Sequence, residues 1–465
     1  MREFQQFKLN GIVSNDTMRA IDKNADAYNV SSSQRMESAG TILAEHLRIL
    51  QPDSVLFLCG LGNNGGDGFV AARHMANFAD VCVIACGEPK TEDAKRAFSA
   101  LKATPVDIFT IRTSSEIPEK AFDTDIIVDC LLGTGAKAPL KEPYESLVKL
   151  MNNSKAYVIS CDLPTPSART DKVIAFHLPK SDGAVVSDIG IPLAAEVFCG
   201  DGDLMIIPQK KTDAHKGAGG NILIVGGGPY QGAPFLSGLA ALRSGADVVR
   251  IAAPVNGFAP DLILERLVGD HVSNEHLEKL LSLAEKSDVV VCGPGLGTNP
   301  ESLAAASEVV RASRKAVVDA DLLRSPLPLA QNETIYTPHA GEFERCFTAL
   351  PKNIAERGCA VRNAAKKSRA TIVLKGETDI ISNGSRVKFN PSGAKSMTVG
   401  GTGDVLSGVC GALLARTGSF EAACAAVYAV CKAGCACDLE TGDGLIATDL
   451  LKTLSHILYK GENDA

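Results

Sequence analysis

The 465-residue sequence predicts an α/β protein of two domains, each a three-layer α/β/α stack on a largely parallel sheet. Three observations predict it. Short apolar runs recur at 55–59, 81–85, 126–132 and 156–161, then at 222–225, 248–252, 289–292, 316–318 and 371–374. Helical patterns lie between them, at 69–77 and 234–244 for example, and apolar strands separated by helices imply a sheet covered on both faces. Glycines follow the strand ends, at Gly60 to Gly68, Gly133 to Gly135, Gly226 to Gly228 and Gly293 to Gly297. In open α/β sheets ligands sit at those carboxyl ends. The polar, Gly-rich stretch PQKKTDAHKGAGGN at 208–221 marks a join, so a first domain is expected over 1–207 and a second over 208–465.

Composition narrows the function. Hydrophobic residues make up 45% and charged residues 22%, which is ordinary for a globular protein. Aromatics are only 5%, Trp is absent and the net charge is −7, so neither nucleic acid nor an anionic membrane surface is an expected partner. No run of about 18 uninterrupted apolar residues occurs, and the start MREFQQFKLNG lacks the apolar core of a signal peptide. A cytoplasmic protein is expected, and a homo-oligomer. The 14 Cys are scattered singly in apolar runs, which reads as buried free thiols. Cys431, Cys435 and Cys437 cluster on a helical stretch, but no His or further Cys stands at zinc spacing.

The strongest motif is Val399-Gly400-Gly401-Thr402-Gly403-Asp404, leading into an apolar helix. Glycines let a backbone approach a ligand, and a helix start offers free N–H groups to an anion. Asp404 at that entry is placed to act as general base for a hydroxyl beside a phosphate. The plainer alternative is an N-capping Asp in a tight turn. Four other strand ends carry polar groups or glycines: Lys375-Gly376-Glu377-Thr378-Asp379, Thr337-Pro338-His339-Ala340-Gly341-Glu342, Asp319-Ala320-Asp321 and Gly293-Pro294-Gly295. In the first half, Gly60-Leu61-Gly62-Asn63-Asn64-Gly65-Gly66-Asp67-Gly68 joins a strand to a helix, a Rossmann-like setting for phosphate on a helix N-terminus. Asn and Gly also make plain turns, but two Asn, one Asp and five Gly exceed what a turn needs. A dinucleotide dehydrogenase is disfavoured, since the G-x-G-x-x-G spacing at Gly60–Gly65 has no ribose-binding acid at the end of the next apolar run, 81–85.

Together the C-terminal motifs resemble the ribokinase-like fold, and more closely the ADP-dependent NAD(P)H-hydrate dehydratase family. Asp213-Ala214-His215-Lys216-Gly217 and Gly232-Ala233-Pro234 fit the same family. That resemblance implies that hydrated NADH or NADPH (NADHX, NADPHX) is phosphorylated on its hydroxyl by ADP or ATP, with Mg²⁺, and that phosphate is then eliminated. Asp404 is the implied base, and Gly401, Thr402 and Gly403 the implied cradle of the transferring phosphoryl group. Lys375, Gly376, Glu377, Thr378 and Asp379 are implied at the adenine nucleotide, and Ala233, Gly295 and His339 at the hydrate.

The N-terminal motifs resemble the NAD(P)H-hydrate epimerase family, which is often fused ahead of the dehydratase and interconverts the two C6 epimers of the hydrate. Asp129-Cys130-Leu131-Leu132-Gly133-Thr134-Gly135 matches its second loop, and Met36-Glu37-Ser38-Ala39-Gly40 and Asp188-Ile189-Gly190 match flanking segments. The resemblance implies hydrate contacts at Asn63, Asn64, Gly65, Gly66 and Asp67, and at Gly133, Thr134, Gly135, Ala136, Lys137, Ala138 and Pro139. It implies a K⁺ ion at Asn64, Asp129 and Thr165, where oxygen donors suit a hard cation. It makes Asp162 the acidic site residue. One stretch departs from the family. After Asp162 the family continues through Pro-Ser-Gly, whereas this chain reads Leu163-Pro164-Thr165-Pro166-Ser167-Ala168. Proline fixes φ and removes an N–H, so this loop's backbone must differ. The alternative reading is a ribokinase-like small-molecule kinase whose N-terminal domain binds a ligand without catalysis.

Overall fold

The computed structural model describes residues 1–133, 135, 138–210, 219–391 and 393–459. It contains two compact units, Leu9–Ala195 and the combination of Met1–Lys8 with Glu196–Ala465. Residues 196–207, which the sequence reading places with the first domain, therefore pack with the second.

In Leu9–Ala195 the strands are β1 (Ser54–Cys59), β2 (Asp80–Ala85), β3 (Asp107–Thr110), β4 (Ile126–Cys130), β5 (Tyr157–Cys161), β6 (Lys172–Phe176) and β7 (Val185–Ser187). They form a parallel sheet in the order β3-β2-β1-β4-β5-β6-β7. The order reverses between β1 and β4, so the loops after these two strands diverge and leave a crevice. β1 reads SVLFLC, and its last five residues are buried, as an apolar strand between two helix layers must be. The helix after β1 starts at Asn63, six residues before the sequence pattern suggests, so much of the glycine run is helical. The glycines allow tight packing there. A Cβ on Gly65 would lie 2.0 Å from the carbonyl oxygen of Gly60, and one on Gly66 2.5 Å from Met36 Cε.

In the second unit the strands are β8 (Asn221–Val225), β9 (Val248–Ala253), β10 (Ile263–Arg266), β11 (Val289–Cys292), β12 (Lys315–Val318), β13 (Glu333–Tyr336), β14 (Thr371–Leu374), β15 (Thr378–Ser382) and β16 (Val387–Pro391). Their order is β10-β9-β8-β11-β12-β13-β14-β15-β16. All pair in parallel except β15 and β16, which add antiparallel hairpin strands at one edge. Here the order reverses between β8 and β11. The helices Ala233–Arg243 and Thr402–Leu414 touch closely: a Cβ on Gly408 would lie 2.0 Å from the carbonyl oxygen of Ser237. The opening residues belong to this unit. Phe4 and Phe7 set their rings 4.8 and 5.1 Å from that of Phe389, edge to face. The helix Ser419–Thr441 is long and apolar enough to cross a bilayer, but two-thirds of its apolar window, 67%, is buried inside the unit. It carries Cys431 and Cys437, buried, and Cys435, exposed, all as free thiols.

Candidate active sites

In the second unit, Gly401 takes φ +97° and caps the helix Thr402–Leu414 from a left-handed conformation. The helix's first N–H groups have no partner within it, which makes its start receptive to an anion. Asp404 lies in the first turn rather than at the cap, and no side chain caps this helix. The alternative of an N-capping Asp therefore does not hold. Its carbonyl accepts from the Ser237 and Ser407 hydroxyls at 2.8 and 2.9 Å, which pins the turn to the neighbouring helix. Thr402 Oγ1 donates back to the carbonyls of Met397 and Val399.

Lys375 directly follows β14, and its Nζ lies 2.9 Å from Oδ1 of Asp319, which follows β12. A Cβ on Gly403 would lie 3.4 Å from that Nζ, so the ammonium stands over the glycine turn. Burial alone would lower the Lys375 pKa, but Asp319, Glu342 and Asp404 together outweigh it and hold the group above its ordinary value. Asp404 is pushed up to about 7, first by burial and then by Asp319 and Asp321, against the opposing pull of Lys375. A carboxyl with a value near neutrality is suited to proton transfer. Asp379 is pushed up to about 6 by burial, although Gly376 N donates to it at 3.0 Å. Gly376 and Glu377 form the exposed turn between β14 and β15, which Thr378 begins.

His339 caps the helix Ala340–Cys346. Its Nδ1 accepts from Glu342 N at 3.3 Å, while Glu342 Oε2 accepts from His339 N at 2.9 Å. Lys375 N donates to the Pro338 carbonyl, which joins this turn to the end of β14. Across the β8/β11 switch, a Cβ on Gly295, at φ +69°, would lie 3.2 Å from Ala233 Cβ. Gly297 N beside it donates to Asp321 Oδ2 at 2.9 Å.

The first unit holds a cavity of about 340 Å³ at the β1/β4 switch. Asn63, Asn64, Asp67, Gly133 and Asp162 line it. Gly65 and Gly66 lie behind them as packing positions. Gly135, Ala138 and Pro139 are not in the cavity lining. Thr134, Ala136 and Lys137 lie outside the described residues, as do residues 213–217 of the second unit. The cavity also takes in Arg19, Asp22, Arg35 and Lys180, which the motifs did not indicate. Asp162 stands at φ +65° and its carboxylate pairs with the ammonium of Lys180, whose side chain is only 4% exposed. Asp67 is held well above the usual carboxylate range by burial and by Asp162 and Asp22, against the pull of Lys180. Burial also raises Asp22, opposed by Arg35 and Lys180.

Asp129, on β4, is fully buried and accepts four hydrogen bonds. They come from Thr165 Oγ1 at 2.6 Å, Thr165 N at 2.8 Å, Ser160 Oγ at 3.2 Å and Leu131 N at 3.2 Å. Burial keeps its pKa above the ordinary value despite these donors. The departure at Leu163–Ala168 thus still delivers Thr165 onto Asp129. Asn64 Nδ2 donates to the Leu132 carbonyl at 3.3 Å. Among the described residues no group of three His, Cys, Asp or Glu forms a metal-binding cluster.

Comparison with known proteins bears on both sites. The family model described as NAD(P)H-hydrate dehydratase matches residues 222–456, and that of the YjeF-related protein N-terminus matches 32–179. The bifunctional NAD(P)H-hydrate repair enzyme Nnr of Methanospirillum hungatei is 45% identical, covering 100% of this chain and 97% of its own length. That of Archaeoglobus fulgidus is 38% identical, covering 96% and 98%. Among solved structures, the ADP/ATP-dependent NAD(P)H-hydrate dehydratase from Bacillus subtilis, co-crystallised with ATP/Mg²⁺, is 26% identical with a TM-score of 0.50. It covers 57% of this chain and 98% of its own.

Proposed function

This chain belongs to the bifunctional NAD(P)H-hydrate repair enzymes, and we propose that its two units divide the repair between the two sites described above. The family assignment sets aside the small-molecule kinase alternative.

In the second unit the reacting hydroxyl of the hydrate faces Asp404. Asp404 takes the hydroxyl proton as the oxygen attacks the terminal phosphate of ADP or ATP; phosphate then leaves with the C–O bonding pair while the neighbouring ring carbon loses a proton to water, and the C–H pair becomes the restored ring double bond. The amides of Gly401, Thr402 and Gly403 and the ammonium of Lys375 face the transferring group, where fixed positive charge stabilises the transition state. Lys375 to Asp379 border the nucleotide. Ala233, Gly295 and His339 border the hydrate. Mg²⁺ would accompany the nucleotide phosphates, held by few protein ligands. The observation that carries this reading is the juxtaposition of Asp404, raised to about 7, with the Lys375–Asp319 pair over a helix start.

In the first unit the hydrate's ring enters the cavity between Asn63, Asn64, Asp67 and Asp162, and its epimers interconvert there. The chemistry of Asn64, Asp129 and Thr165 fits a K⁺ ion. Asp129 is a buried carboxylate whose four donors are neutral, and Asn64 and Thr165 add hard oxygen atoms. K⁺ held by these three would supply the positive charge that Asp129 otherwise lacks.

The test is to mix the purified chain with an epimeric NADHX mixture, Mg²⁺ and either ADP or ATP, following absorbance at the NADH band. Full recovery is expected with one nucleotide or both. Recovery that stalls near half would remove the epimerase assignment. No recovery with either nucleotide would remove the dehydratase assignment.

A further inference from the structure

The cavity of the first unit holds three carboxyl groups, and they are not equivalent. Asp162 is committed: its carboxylate is clamped by Lys180, and Phe176 N approaches it at 3.5 Å. Asp22 faces Arg35 at 3.5 Å. Asp67 makes no side-chain hydrogen bond or ion pair among the described residues, yet it faces the same cavity. Two carboxyls of opposite commitment in one small cavity are a common basis for assigning an acid and an anion.

Resting on the epimerase reading above, we propose that Asp67 is the proton donor of epimerisation, and that Asp162, locked as an anion by Lys180, stabilises a cationic ring intermediate. The hydrate's C6 carries a hydroxyl and is bonded to the ring nitrogen N1. Asp67 gives its proton to that hydroxyl, the C6–O bond breaks, and water departs with the bonding pair. The N1 lone pair forms a C6=N1 double bond, leaving a planar iminium cation. Water adds to C6 from the opposite face and gives up one proton to the pocket carboxylates, which restores Asp67 to its acid form. No oxidant or reductant is needed. The charge balance suits this route: three carboxyls face the ring against Lys180, Arg35 and Arg19 at its edge, and Arg35 is partly spent on Asp26 at 3.0 Å. Burial, together with crowding by Asp162 and Asp22 and against the pull of Lys180, keeps Asp67 protonated to a higher pH than an ordinary Asp. Lys180 is a positioning residue in this scheme.

The experiment uses the full chain, with calorimetric unfolding and circular dichroism of each variant to show that the epimerase unit is folded, and its own dehydratase as the measure of active protein. Epimer interconversion is followed in the wild type, Asp67→Asn, Asp162→Asn and Lys180→Met, over a range of pH. The wild-type rate should fall as pH rises and Asp67 loses its proton. Asp67→Asn should lower kcat about 10²–10⁴-fold, with KM within a few-fold, dehydration unchanged and the alkaline limb gone. Lys180→Met should move that limb to higher pH, since the lysine charge now favours ionised Asp67; a merely structural lysine would leave it in place. In ¹⁸O-labelled water each epimerisation should exchange the C6 oxygen. An Asp67→Asn rate within threefold of wild type, or epimerisation without oxygen exchange, would overturn the assignment. A wild-type chain that does not interconvert the epimers at all would overturn the epimerase reading as well, and is told apart by that control.

Discussion

Lys375 Nζ stands 2.9 Å from Asp319 Oδ1 and over the turn at Gly403, so one ammonium ties the end of β14 to the end of β12 while facing the phosphoryl cradle. Lys375→Met should therefore do two things. It should slow nucleotide-dependent dehydration, and it should shift the acidic limb of the kcat/KM–pH profile upward, because Lys375 lowers the Asp404 pKa. Lys375→Arg should retain the limb. Steady-state profiles of the three proteins check both.

Asp404→Asn should keep the fold and reduce dehydration about 10²–10⁴-fold, the range typical of a lost general base. Epimerisation by the same chain should continue, which a coupled assay with a separate dehydratase can read.

The wild-type pH profile follows from the same carboxyl. A base must be ionised, so kcat/KM for dehydration should rise with pH and level off above about 7. Stability runs the other way. A carboxyl whose pKa is raised by folding contributes most below its unfolded value and loses that contribution as pH climbs through the folded value. Asp404→Asn should thus raise Tm relative to wild type more at pH 8 than at pH 4, by calorimetry.

Gly408→Ala should lower stability by about 1–3 kcal/mol, the usual cost of overpacking, since its Cβ would meet the Ser237 carbonyl oxygen at 2.0 Å. The helix that carries Asp404 must shift to relieve the clash, so dehydration should fall with Tm. Urea titration and activity on one sample test the pair.

Replacing K⁺ by a large organic cation in the buffer should slow epimerisation and leave dehydration nearly unchanged. Asp129→Ala should abolish the K⁺ response, as initial rates across a K⁺ titration would report.

These residues differ in how openly the sequence displays them. Asp404, Lys375 and Asp67 stand in short local motifs, because a glycine turn and the helix it starts are contiguous in sequence. Most strands of the two sheets are likewise visible as unbroken apolar runs. Lys180, Asp22 and Arg35 were not visible: each comes from a different element and meets the others only through the β1/β4 crevice. β6 is not among those runs, so nothing in the sequence marks Lys180 as following a strand end. The helix start at Asn63 was hidden because Gly65 and Gly66 look like loop residues, although they are small in order to sit against Gly60 and Met36.

The packing of Phe4 and Phe7 against Phe389 gives the chain a route unlike a simple tandem. Residues 1–8 belong to the dehydratase unit, the next 187 residues build the epimerase unit, and the chain then returns. The epimerase is topologically an insertion near the beginning of the dehydratase, so the backbone passes between the units twice. A single cleavage at 195/196 would not release two independent enzymes, because the fragment bearing the epimerase would still be anchored by its own first eight residues. A ribosome delivering this chain would likewise finish the epimerase early, while Phe4 and Phe7 wait for a partner nearly four hundred residues behind them.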